Sequence, residues 1–196
     1  MTVVASDRIE MAETRDERAL DSMFEWLDKM PVPEGFKAEI VGGNVFMSPR
    51  RDTRWDIIAD LFEQLRGTYP RRRLKSDVRV DFPGHLNGFA ADVLALREDA
   101  PKDGKGHWLF EGVEFVAEVI SKNTALNDYG PKKDAYAAAG VPVYLIVDPY
   151  SGECHVFRNP ANGVYGPKLT VLFGTDIDLT GTPVGLVLRT GDFPRD

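Results

Sequence analysis

The sequence predicts an α/β protein: a central mixed β-sheet flanked by helices, with a helix and a β-hairpin ahead of it. Three observations carry that prediction. Two mostly apolar stretches, 88–96 and 113–120, read as strands buried on both faces, as in a sheet covered on both sides. A helical stretch over 127–140 joins the second of them to another apolar strand, 142–147; a strand, a crossover helix and a strand make a βαβ unit with a parallel pair. Two amphipathic helical stripes precede this core.

Residues 1–13 are polar and unpatterned and read as a flexible tail, with 14–196 as one domain. From Thr14 the spacing turns helical, with Leu20, Met23, Phe24, Leu27 and Met30 on one stripe, until Pro31 and Pro33 stop it. Residues 36–41 and 45–48 flank Gly42-Gly43-Asn44 as a hairpin with a glycine-rich turn. A second helix follows Pro49, its apolar face read as Trp55, Ile58, Ala59, Phe62 and Leu65 and its stop as Gly67. Residues 74–82 alternate as a strand, and 83–88 turn the chain into the strand 88–96, so these two pair as a hairpin. Residues 99–112 read as a loop. In the helix 127–140, Asn127 or Asp128 caps, Pro131 fits the first turn and Gly140 ends it. Short strands at 154–158, 168–173 and 184–188 complete the chain.

Composition excludes several classes. A hydrophobic share of 43% with 28% charged residues is that of a soluble globular chain. No apolar run approaches the roughly 18 residues of a membrane span, and the start of the chain lacks the layout of a signal peptide, so the expected location is the cytoplasm. The single cysteine, Cys154, and three scattered histidines, His85, His107 and His155, offer no zinc cluster; the histidines read as surface residues and Cys154 as a small core hydrophobe. A net charge of -7 argues against binding nucleic acid over the whole surface. Residues 50–75 nevertheless hold eight basic residues against four acids, so a local phosphate-binding patch is permitted.

Chemistry enters with the acids inside the apolar strands. Glu118 lies near the carboxyl end of 113–120 and Asp92 inside 88–96; an unpaired carboxylate there costs several kcal/mol. Something must meet them. The following helix puts Asp128, Lys132 and Tyr136 in one row, each four residues from the next. Carboxylates with one fixed lysine suit a hard divalent ion such as Mg²⁺ or Mn²⁺ and the hydrolysis of a phosphodiester. Each residue also has a plain structural explanation: Glu118 paired with Lys122, Lys132 paired with Asp128 on a helix surface, Tyr136 packing, Arg71-Arg72-Arg73 a solvated turn.

Taken together, Glu39 in Ala-Glu-Ile-Val-Gly-Gly, Met47-Ser48-Pro49, Ala91-Asp92-Val93, the run from Glu118 to Thr124, the Asp128, Lys132, Tyr136 row, and residues 139–149 resemble the Uma2 family of restriction-endonuclease-like proteins, bacterial members of the PD-(D/E)XK nuclease superfamily. The resemblance covers about residues 20–160. It implies a restriction-endonuclease-like core in which Asp92, Glu118 and the carbonyl of Val119 hold Mg²⁺ or Mn²⁺. Glu39 is then the N-terminal active-site acid, Lys132 the catalytic lysine and Tyr136 its support. The resemblance makes DNA the partner and a homo-oligomer the expected assembly; independently of it, Lys122 in the turn and the basic run Arg71, Arg72 and Arg73 are candidate phosphate contacts. Two departures stand out: Ile120 occupies the usual lysine position, and Trp55 is read at the place where many relatives carry a histidine. Those departures keep a rival open, a catalytically inactive nucleic-acid-binding or structural module on a nuclease fold. A carboxylate-pair glycosidase, which needs no metal, is the third class.

Overall fold

A computed structural model describes residues 6–49, 51–122 and 124–196, with residues 6–14 described by backbone alone. Arg50, Asn123 and the first five residues of the expected tail lie outside the described residues. The first helix, α1 (Ser6–Leu27), starts before the expected Thr14. Leu20 and Leu27 are buried, with Met23, Phe24 and Met30 beside them against Ala38, Ile40 and Val45. Those last three belong to the hairpin β1 (Phe36–Val41) and β2 (Asn44–Pro49). Gly42 and Gly43 have φ of 56° and 74°, the positive pair that a tight two-residue hairpin loop requires.

The expected strand pair 74–82 and 88–96 is present, but each member is broken at one place. β3 (Leu74–Lys75) and β4 (Arg79–Phe82) belong to different sheets, as do β5 (Asn87–Ala90) and β6 (Val93–Leu96). Asp77 adopts φ 53°, and its N–H donates to the carbonyl of Ala91 at 3.0 Å, tying the two breaks together. One sheet therefore runs β2-β1-β5-β4-β7, where β7 is Trp108–Leu109, out of the expected loop. The other contains, in order, β11 (Leu169–Leu172), β10 (Glu153–Arg158), β9 (Val143–Asp148), β8 (Val113–Val119), β6 and β3. β8 and β9 are the parallel pair of the βαβ unit, and β6 lies antiparallel to β8. A small pair, β12 (Ile177–Asp178) with β13 (Val187–Leu188), stands where one strand over 184–188 was expected.

The second helix, α2 (Asp52–Leu65), covers one face of the larger sheet through Ile57, Ile58, Leu61 and Leu65. Ile58 and Leu65 are buried and Phe62 packs beside them as expected, but Trp55 points outward, 63% exposed, and Ile57 and Leu61 complete the stripe in its place. On the opposite face lies the crossover, made of α3 (Ala125–Asn127), a wide π-turn over Asp128–Lys132 and α4 (Lys133–Ala138). Pro131 is inside this helix and not in its first turn; it brings no N–H, and the backbone widens around it. The hydroxyl of Tyr144 donates to the carbonyl of Asp128 within that turn, at 3.0 Å. Tyr136 packs edge-on against Phe82 and Phe89, so the crossover is held between the two sheets. Cys154 is in the core, as expected; His155 is buried as well, because β10 lies inside the sheet between β9 and β11, and its ring meets Thr170 at 3.0 Å.

Candidate active site

Alternation along the strands decides which side chains meet. On β8 the side chains of Phe115, Ala117 and Val119 turn toward α2, so Glu118 shares the other face with Val116 and Ile120. The same alternation gives Val93 and Ala95 to α2 and Leu94 to the crossover side, where Asp92 also lies. On β1, Ala38 and Ile40 face α1, which sends Lys37, Glu39 and Val41 inward. The helix contributes Asp128, Lys132 and Tyr136 from above. Four stretches of chain thus deliver charge to one point where the sheets part, and α2 adds a fifth through Arg54.

Asp92 is fully engaged. Its Oδ1 accepts from Lys37 Nζ at 3.0 Å and from Arg54 Nη2; its Oδ2 accepts from Arg54 Nε at 3.1 Å and from the Val119 N–H at 2.9 Å. Burial would raise its pKa, but Lys37, Arg54 and the backbone donor hold it well below the usual carboxylate range. Glu118 is 2% exposed and differs in sign. Its Oε1 is 2.6 Å from Lys132 Nζ and accepts from the Tyr136 hydroxyl at 2.8 Å; yet desolvation wins and pushes it up to about 7. Glu39 accepts from the Ala90 N–H at 3.0 Å and from Lys132 at 3.1 and 3.2 Å. Burial opposes its charge, and Lys132 with Lys37 more than offsets that, leaving it lowered.

Lys132 is the hub of the helix side. Besides Glu39 and Glu118 it meets Asp128 Oδ1 at 3.1 Å; burial acts against its charge, but the three carboxylates hold it well above the ordinary lysine value. Lys133 points away and pairs with Asp134 at the surface, at 3.2 Å. Lys122 is exposed, its ammonium 4.6 Å from the centre of the Tyr150 ring. Of the three consecutive arginines, Arg73 is committed internally: it donates to the carbonyl of Leu96, pairs with Glu114 at 3.2 Å and covers the Tyr69 ring. Arg71 and Arg72 remain exposed.

Sequence reasoning missed two members of the cluster, Lys37 and Arg54. Lys37 is two residues before Glu39 on the same strand face, and Arg54 is four residues before Ile58 on the buried stripe of α2. Those spacings place each residue on an inward face once the faces of β1 and α2 are known, but do not single it out beforehand. It is Arg54, and not the exposed Trp55, that α2 directs into the site.

The donor set suits a hard divalent cation. Lys37 Nζ lies 3.0 Å from Asp92, 3.5 Å from Glu39 and 3.8 Å from Glu118, so three carboxylates already surround one positive charge. Among the described residues no three His, Cys, Asp or Glu side chains are arranged as a ready cage. A metal would therefore share these acids with Lys37 and Arg54.

This mixed α/β architecture is shared with a solved structure. A crystal structure titled as a putative nuclease belonging to DUF820, from Anabaena variabilis ATCC 29413, matches with a TM-score of 0.67 over 89% of this chain and 96% of that one, at 15% identity. No curated protein matches the chain. The model of the Uma2 family, described as "Putative restriction endonuclease", matches residues 24–191, and the chain belongs to that family. No described helix is long and apolar enough to cross a membrane.

Proposed function

We propose that the chain is a divalent-metal-dependent endonuclease that hydrolyses phosphodiester bonds in DNA. The observation that carries this reading is the meeting of Glu39, Asp92, Glu118 and Lys132, from four elements distant in sequence, around one buried point. In this reading Asp92, Glu118 and the Val119 carbonyl hold Mg²⁺ or Mn²⁺. Such an ion, when bound, polarises the phosphoryl oxygen and acidifies a water. Lys132 keeps its proton, because three carboxylates raise its pKa, and so offers a fixed positive charge for the developing phosphorane oxygens. Tyr136 fixes the orientation of Glu118, Glu39 aims Lys132, and Lys122 draws in phosphate at the rim. The reading takes in a cytoplasmic location and self-association; exposed Leu169 and Leu172 on the edge strand β11 support the latter.

A second reading, an inactive nucleic-acid-binding or structural module, is favoured by Ile120 at the usual lysine position and by the acids already being neutralised by Lys37, Arg54 and Lys132. Calorimetric titration of Mn²⁺ separates the two. The endonuclease reading expects one site in the wild type, absent in Asp92→Asn, and nicking of supercoiled plasmid that stops on chelation. A wild type that binds no Mn²⁺ and leaves plasmid intact selects the second reading.

A further inference from the structure

Away from the acid cluster, a groove of about 940 Å³ lies between the end of α2 and the edge strand β3. Its floor is apolar, from Phe62 and Leu74, and its rim carries Arg66, Arg71, Arg72 and Lys75, with Glu63 as the one acid in its wall. In a chain of net charge -7 such a concentration of positive charge is an inversion of the whole. The cations are not there to neutralise neighbours. Among the described residues Arg66 and Arg71 have no ion pair, Arg72 has only a 4.0 Å exposed contact with Glu98, and Lys75 is turned onto the carbonyl of Arg72. The partial negative charge at the end of α2 accounts for Arg66, since cations favour a helix C-terminus, but its influence fades within a turn and does not reach Arg71, Arg72 and Lys75.

The groove also has a fixed position relative to the acids. It follows β3, the edge of the larger sheet. Lys75 is two residues from Asp77 along the chain, and the Asp77 carboxylate is 3.9 Å from Lys37 Nζ in the cluster. A polyanion with evenly spaced charges, following the sheet edge, would meet the groove and the acid site in succession. Duplex DNA supplies one negative charge per about 1.7 Å of axis.

We propose that this groove holds the phosphate backbone of the DNA that flanks the bond to be cut, an interaction that sets affinity and register without reading sequence. The proposal rests on the nuclease reading of the acid site. Its residues are Arg66, Arg71 and Arg72, with Lys75 shaping the wall; Arg73 is no part of it, being tied to Leu96 and Glu114.

The test is fluorescence anisotropy of a labelled 30-base-pair duplex without divalent metal, from 50 to 200 mM NaCl, on wild type and on R66A/R71A/R72A. The replaced side chains are exposed, so the variant keeps the wild-type melting temperature. Binding should weaken roughly tenfold or more at the lowest salt, and the slope of log K against log salt should become shallower by about 0.9 for each phosphate that the variant no longer neutralises. R73A is not used, since it disturbs the fold. Equal affinity and equal slope in the two proteins overturn the proposal, as does a wild type that binds no duplex. Loss of inorganic-phosphate binding in the triple variant, read by calorimetry, with unchanged duplex affinity also overturns it, by making the groove a small-anion site. The two readings fail separately: a wild type that binds with the steeper slope yet never cleaves upholds the groove against the nuclease reading, whereas cleavage with unchanged KM in the triple variant refutes the groove alone.

Discussion

The acid cluster and the basic groove use the same residue types in opposite ways. In the cluster, Lys37 and Lys132 are buried, Arg54 is partly buried, and each touches at least one carboxylate; in the groove, Arg66, Arg71 and Arg72 face water with little or nothing to neutralise them. Burial makes the difference. Inside, a charge without its partner costs several kcal/mol, so every member is held by two or more polar neighbours. Outside, water carries the cost, and a cation can wait for a ligand. The cluster is therefore part of what holds the sheets together, while the exposed arginines of the groove are free to bind.

Removing one cluster cation should break that contrast most severely. Arg54→Ala leaves Asp92 buried with only Lys37 and the Val119 N–H, and should cost about 3–5 kcal/mol, read as a fall in melting temperature of roughly 6–20 °C. A cost below about 1 kcal/mol would mean that the cluster is solvated and the contrast with the groove is false. Lys37→Met should likewise destabilise the protein, but here added Mn²⁺ should restore much of the stability, since the three acids around Lys37 Nζ are left facing one another. Thermal melts with and without Mn²⁺ check this, and an unchanged response to the ion would count against a shared cation position. Tyr136→Phe is milder. It keeps the ring between Phe82 and Phe89 and deletes one hydrogen bond to Glu118, for about 1–2 kcal/mol in urea denaturation. Arg66→Ala should lie within about 0.5 kcal/mol of wild type.

The two regions also differed in how far the sequence announced them. Asp92 and Glu118 stood out because acids interrupt apolar strands, and Asp128, Lys132 and Tyr136 because their spacing matches one helix face. Lys37 and Arg54 did not, since a lysine near a strand end and an arginine in the first turn of a helix are ordinary surface choices. Only the faces of β1 and α2, fixed by tertiary packing, make them interior. Trp55 misled for the same reason: hydrophobicity put it on the buried stripe, whereas Ile57 and Leu61 rotate that stripe toward Arg54. The division into two sheets was missed because the regular alternation of 78–82 was extended back to Leu74 across the polar run Lys75-Ser76-Asp77; the break falls in that run, at the backbone of Asp77, φ 53°, and its bond to Ala91. Pro131 promised a helix start, and the widened turn that admits it into the interior has no signature in spacing.

The central claim is that Lys132, held by three carboxylates, supplies the fixed positive charge of a DNA-cleaving site. Nicking of supercoiled plasmid in Mn²⁺ by wild type, Lys132→Gln, Lys133→Gln and Lys122→Gln tests it, with folding of each followed by thermal melt and Mn²⁺ affinity by calorimetry. Lys132→Gln should reduce cleavage by a factor of about 100 or more while binding Mn²⁺ at least as well as wild type, because a cation beside a cation site has been removed. Lys133→Gln, its lysine paired with Asp134 at the surface, should cleave normally. Full activity in folded Lys132→Gln, or inactivity confined to Lys122→Gln, would contradict the account.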